Sequence, residues 1–315
     1  MEVAKMINYW QIIKNGLLPL QSFVNGSVIN VVAPTADELN SLRTTFNISE
    51  DFLTDIMDID ERSRIEVEDD KIYIIYRVPF YNPENGIPYA TMPLGIIISE
   101  EAFIVISQHG NDVLSEVFSR TIRKTSEYTN MVEFLFNIIN HSTSAFLKYL
   151  KQINYQTNQI EKDLEKSTKN KELHKLLLME KCLVYFNTSL RSNLMLVNKL
   201  KNPKYFPSSN IPEDIVEDIT IEINQALQTT NIYSDILAGM MDAFASVISN
   251  NLNIVMKQLT IITIILMIPT LVSSFFGMNV PNMFENSHFA FVSILAFSII
   301  LSVVGVLLIR IKKWI

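Results

Sequence analysis

Apolar positions along the chain change their period twice. Over the first 125 residues, short runs rich in Val, Ile and Tyr predict strands at Ser27–Val32, Arg64–Glu68, Lys71–Val78, Ala90–Ser99 and Ala102–Ser107. Glu68-Asp69-Asp70 and Ser99-Glu100-Glu101 read as tight turns between paired strands. Thr35–Phe46 predicts a helix with Thr35 as its N-cap. Ser49–Asp58 predicts another, with Phe52 where a capping box needs Glu or Gln. From Glu127 the period lengthens. Glu127–Lys169 and Lys171–Lys201 contain no Gly or Pro and carry apolar residues at helical spacing. They predict two long antiparallel helices joined near Ser167–Asn170. Asn202–Pro212, with three prolines and two serines, reads as a loop. One uninterrupted helix is then predicted from Pro212 to Phe276, roughly 95 Å long at about 1.5 Å per residue.

The end of that helix, Gln258–Phe276, is an apolar run, and a second run covers Phe289–Ile309. Each is about twenty residues, enough to cross the roughly 30 Å hydrocarbon core of a bilayer. Yet one face of the long helix is polar. Asp242, Ser246, Ser249, Asn253, Met256, Thr260, Thr263, Met267, Thr270 and Ser274 follow one another at alternating intervals of 4 and 3. Such a heptad stripe stays on one side of a gently supercoiled helix. Ile261, Ile262, Ile264, Ile265 and Leu266 fall on the other faces. Two or three hydroxyls would read as polar glue between packed helices. Ten positions in unbroken register, ending at Gly277-Met278-Asn279, favour a water-lined path. A single stripe cannot enclose a pore, so it implies a cyclic homo-oligomer whose subunit number the sequence does not count.

Charge sharpens this division. The chain carries a formal net charge of −7. From Asn251 onward the charged residues are Lys257, Glu285, Arg310, Lys312 and Lys313, a balance of +3, so residues 1–250 carry −10. An acidic soluble part excludes a nucleic-acid binder of the usual basic kind. Met1–Leu20 contains Glu2, Lys5 and Lys14 and does not read as a signal peptide. Lys257 precedes the first span, Arg310, Lys312 and Lys313 follow the second, and the segment between them lacks Lys and Arg. The positive-inside rule then puts both termini in the cytoplasm, in a cell membrane crossed twice. The single Cys182 excludes an intrachain disulfide. The histidines His109, His141, His174 and His288 are isolated, and there is no phosphate loop or nucleophile elbow, so no enzyme is expected.

Gly277-Met278-Asn279, between two C-terminal spans and after a long acidic region, resembles the CorA family of magnesium transporters. The resemblance implies an α/β cytosolic domain (residues 1–126), a long-helix stalk (127–257), a first transmembrane helix (258–276), an extracellular loop (277–288), a second transmembrane helix (289–309) and a basic cytosolic tail (310–315). It implies a pentamer in the lipid bilayer that passes hydrated Mg²⁺, with Mg²⁺ as transported and regulatory ion and no other cofactor. The Gly277, Met278 and Asn279 ring would select the hydrated ion. Met256, Leu259 and Met267 match a hydrophobic gate, and Asn253 and Asp242 match polar rings below it. Asp55, in Leu53-Thr54-Asp55-Ile56-Met57, and Asp218, 24 residues before Asp242, match regulatory carboxylates; Asp58, Asp60, Glu213, Asp214 and Glu217 are nearby alternatives. Chemistry agrees: Mg²⁺ gives up water reluctantly, so a neutral ring of amide and carbonyl oxygens can hold it through its water. The chain departs from the family where an acidic Met-Pro-Glu-Leu segment is usual. Here Val280-Pro281-Asn282-Met283-Phe284-Glu285 carries one acid, which leaves Co²⁺, Ni²⁺ and Zn²⁺ open as cargo. A membrane-anchored metal sensor that conducts nothing is the rival of another class.

Overall fold

A computed structural model describes residues 7–13, 16–83, 86–122, 130–166, 170–206, 213–278 and 289–311. The chain divides into two compact units, residues up to Met240 and from Met241 onward.

The first unit is built on a seven-stranded sheet in the order β2-β1-β3-β7-β6-β5-β4. Its strands are β1 (Ile7–Ile13), β2 (Gly16–Leu20), β3 (Ser27–Val32), β4 (Arg64–Glu68), β5 (Lys71–Tyr81), β6 (Tyr89–Ile98) and β7 (Ala102–Ser107). Only β3 and β7 pair in parallel; the remaining neighbours are antiparallel. The predicted strands are all present. The turn at Asp69-Asp70 uses two residues at positive φ, 48° and 59°, as a tight hairpin turn of right-handed strands requires. The β1–β2 hairpin was not anticipated. Its second strand contains Pro19, opposite Trp10, and proline tolerates only an edge position such as this one.

Alternation along the strands explains why both sheet faces are covered. Ile29, Val31, Tyr73, Ile75, Ile104 and Ile106 pack with Leu42 and Phe46 of α1 (Ala36–Phe46) and with Phe52, Leu53 and Ile56 of α2 (Glu50–Met57). The intervening residues Ile74, Tyr76, Phe103 and Val105 are also buried. α3 (Asp112–Ile122), absent from the sequence expectations, lies with α4 (Met131–Lys166) and α5 (Asn170–Leu200) against this part of the unit. Phe134 of α4 meets Phe103 edge-to-face at 5.1 Å. The predicted join between α4 and α5 falls largely outside the described residues, as do residues 207–212 of the predicted loop.

α1 has the full capping box: Glu38 N donates to Thr35 Oγ1 at 3.3 Å, and Thr35 N donates to Glu38 Oε2 at 2.8 Å. α2 lacks the box, as Phe52 predicted, and Ser49 makes no side-chain cap bond either. One glycine sets where α2 lies. A Cβ on Gly95 of β6 would come within 2.1 Å of Ile56 Cδ1 and 2.6 Å of Ile56 Cγ1. Ile56 is fully buried, so only glycine lets α2 approach this closely.

α6 is one helix of 64 residues, Glu213–Phe276, as the sequence predicted, and it runs on through Pro269. In the first unit it buries Val216, Ile219, Ile223, Ala226 and Leu237. The second unit holds the rest of α6 and α7 (Ala290–Ile311). Both contain stretches long and apolar enough to cross a membrane, and few of those residues are buried. A soluble core helix would be buried, so exposure favours membrane helices.

Candidate functional site

The polar stripe, Asp242 to Ser274, lies wholly within the second unit. α7 does not cover it. Gly305 of α7 faces Ile264 and Ile268, where a Cβ would be 3.9 Å and 3.4 Å from their side chains. Ile261, Ile264, Ile268 and Val272, like Pro269, are less exposed than the rest of this part of α6. At 100° per residue their face is centred roughly a third of a turn from the stripe. Asp242, Ser246, Ser249, Asn253, Met256, Leu259, Thr260, Thr263, Met267, Thr270 and Ser274 are exposed. Met267 reaches 65% exposure.

Four hydroxyls on the stripe are oriented by their own helix. Ser246 Oγ donates to Asp242 O at 3.0 Å, Thr260 Oγ1 to Met256 O at 2.9 Å, Thr263 Oγ1 to Leu259 O at 2.8 Å and Thr270 Oγ1 to Leu266 O at 2.7 Å. Such back-bonding is ordinary for Ser and Thr in apolar helices. It has a chemical consequence here. A hydroxyl whose hydrogen is committed to the backbone offers only its lone pairs outward. The stripe therefore presents acceptors, which suit the hydrogens of water around a cation.

α6 ends at Phe276. Gly277 N still donates to Ser273 O at 2.9 Å, and Met278 N reaches Phe275 O at 3.5 Å. Gly277, where the backbone turns out of the helix, is not among the residues at positive φ. A Cβ at this position would sit 3.2 Å from the Ser273 carbonyl oxygen, closer than an ordinary contact. Asn279 and the segment through His288 lie outside the described residues.

The two predicted regulatory acids lie in the first unit. Asp55, on α2, makes an ion pair with Arg64, which also pairs with Glu61 and with Glu66, the last at 2.8 Å. Burial alone would lower the Arg64 pKa, but the Asp55 hydrogen bond and the Glu66 and Glu61 charges outweigh it and raise it. Asp218 is exposed on α6. One turn on, burial and then the Asp218 charge raise the pKa of Glu222. No hydrogen bond or ion pair joins Asp55 to Asp218 within the chain among the described residues. None of those residues forms a group of three or more His, Cys, Asp or Glu able to hold a metal.

Sequence reasoning missed the residue that organises this region. Arg77 of β5 is buried. Its Nη1 donates to Ile59 O at 2.8 Å and to Glu61 O, its Nη2 to Thr91 O at 2.9 Å, and its Nε to Ser189 Oγ of α5 at 2.9 Å. Asn193 of α5 accepts from Arg77 N at 3.0 Å and from Ser63 Oγ at 2.6 Å. These bonds fix the acidic loop after α2 to α5. The available signal was a lone Arg in the apolar run Tyr73–Phe80.

Known proteins share this arrangement. "Cobalt/magnesium transport protein CorA" of Methanocaldococcus jannaschii is 25% identical over 292 residues, covering 91% of this chain and 90% of the relative. The protein of the same name from Thermotoga maritima is 22% identical over 311 residues, covering 95% and 86%. The complete structure of the CorA magnesium transporter from M. jannaschii superposes with a TM-score of 0.80 at 24% identity, covering 99% of this chain and 100% of that one, so the fold is shared end to end. The family model for CorA-like Mg²⁺ transporter proteins matches residues 29–313. With the α/β unit, the long helix and the two apolar C-terminal helices in place, the chain belongs to the CorA family.

Proposed function

We propose that the chain forms a passive, selective channel for hydrated Mg²⁺, with Co²⁺ as a second cargo, in a cell membrane and with both termini cytoplasmic. The observation that carries this reading is the row of outward-facing acceptors on Thr260, Thr263 and Thr270, on a face that α7 leaves open. Several copies around an axis, a pentamer by resemblance, would turn that row into a water-lined path. Magnesium keeps its water, and hydroxyl lone pairs accept from that water without stripping it. Gly277, Met278 and Asn279 would form the selecting ring at the outer mouth. Rings of Met256, Leu259 and Met267 would narrow the path and close it by dewetting. Asp242 and Asn253 would form polar rings below, where the Asp242 carboxylates concentrate cations.

Control would come from Asp55 and Asp218 of neighbouring first units. Two carboxylates brought together repel, and a bound divalent ion reverses the repulsion. High internal Mg²⁺ would then favour a closed ring by population shift. The names of the relatives support Mg²⁺ and Co²⁺ as cargo.

Purified protein in liposomes loaded with a Mg²⁺-sensitive dye tests the reading. Mg²⁺ uptake driven by its gradient alone is the expected result. Binding without uptake would replace the channel with a sensor. Uptake of Zn²⁺ or Ni²⁺ in preference to Mg²⁺ would change the cargo.

A further inference from the structure

Asp55 already has a cationic partner. The Arg64 guanidinium, at the first residue of β4, is shared by carboxylates from three places: Asp55 on α2, Glu61 in the following loop, and Glu66 two residues along the strand. Arg64 and Asp55 are both largely covered, with side chains 28% and 32% exposed. The cradle is held from both sides. Arg77 pins the Ile59 and Glu61 carbonyls, and Gly95 lets α2 lie close to β6. Arg64 therefore stands at a fixed place beside Asp55.

A carboxylate cannot fully serve a guanidinium and a divalent cation together. The guanidinium engages the Asp55 Oδ2 atom, and its charge repels an approaching dication. The three acids are not themselves a metal group; they hold an arginine. We propose that Arg64 is a tethered competitor for Asp55, which sets the Mg²⁺ concentration at which Asp55 responds. This rests on the reading of Asp55 as a regulatory carboxylate. Exchange is inexpensive in this geometry. When Mg²⁺ takes Asp55, Arg64 keeps Glu61 and Glu66 as partners, so no buried cation is left unpaired.

The test uses the full chain, assembled in detergent, with chymotrypsin protection followed during a Mg²⁺ titration. Chymotrypsin avoids the tryptic site that the substitution removes. Arg64→Gln should lower the half-protecting Mg²⁺ concentration about fivefold, the scale of a partly exposed ion pair. Arg64→Lys keeps the charge but cannot fork between carboxylates, so its midpoint should fall between the two; it also carries the test if the glutamine variant fails to fold. Asp55→Asn should abolish the response. An unchanged midpoint in both Arg64 variants, with the response lost in Asp55→Asn, overturns the competitor and leaves Asp55 as the sensor. A parent-like titration in Asp55→Asn removes the sensor reading, and the competitor with it.

Discussion

The two units of this chain invert each other's solvent logic. In the first, large apolar residues such as Tyr76, Phe103, Phe134 and Phe186 are buried, and buried Arg77 has its guanidinium N–H groups matched by oxygens. In the second, Phe291 is 77% exposed, while Ser298 and Ser302 are only 3% and 6% exposed. Those serines donate to Leu295 O and Ser298 O on their own helix. A water-soluble fold gains by hiding apolar area. A membrane pair gains nothing that way, since lipid is as apolar as leucine, and small residues at the contact let helices approach. Tolerance should differ accordingly. The first unit is specified by close packing, the second by the chemistry it turns outward.

The sharpest break of that comparison is Asn279→Ala. Transport in liposomes should be lost while assembly, read by size-exclusion chromatography, stays at the parent level. Full Mg²⁺ flux in an assembled mutant would remove the selecting role from this residue. Next comes one substitution made in both units. Gly95→Ala drives a Cβ into buried Ile56 and should cost about 1–3 kcal/mol, seen as a lower thermal midpoint. Gly305→Ala meets only ordinary contacts with Ile268 and Ile264, so stability should stay within about 0.5 kcal/mol. Equal losses would mean that the second unit is packed as tightly as the first.

Smaller effects sharpen the contrast further. Met267→Ser should raise flux at high internal Mg²⁺, because a hydroxyl ring wets more readily than a thioether ring. Unchanged flux would move the constriction to Met256 or Leu259. The smallest effect belongs to Glu222, whose pKa is raised by burial and by Asp218. The folded state holds this proton more tightly than the unfolded one, so its charge costs stability above the raised pKa. That cost fades as pH falls and is gone below the ordinary glutamate range. Glu222→Gln should therefore raise the thermal midpoint slightly at neutral pH and leave it unchanged near pH 3. A gain that persists at low pH would point to packing instead of charge.

Sequence periodicity by itself determined the elements whose signal is local. The strands from Ser27 to Ser107, the Thr35 cap, the 64-residue α6 and the register of the polar stripe all follow from neighbours within a few positions, as does the membrane length of both C-terminal helices. Tertiary structure alone decided the rest. Ile7–Ile13 and Gly16–Leu20 become strands because β3 offers β1 a partner, which no local propensity records. Asp55 meets Arg64 only once α2 folds onto the sheet, and Ser63 reaches Asn193 across 130 residues of chain. Gly277 ends α6 without a positive φ, at a place where a Cβ would stand 3.2 Å from the Ser273 carbonyl oxygen. Periodicity reports which face of an element is apolar; it does not report which distant side chain will complete a polar group's hydrogen bonds. That choice is made when burial removes water as an alternative partner.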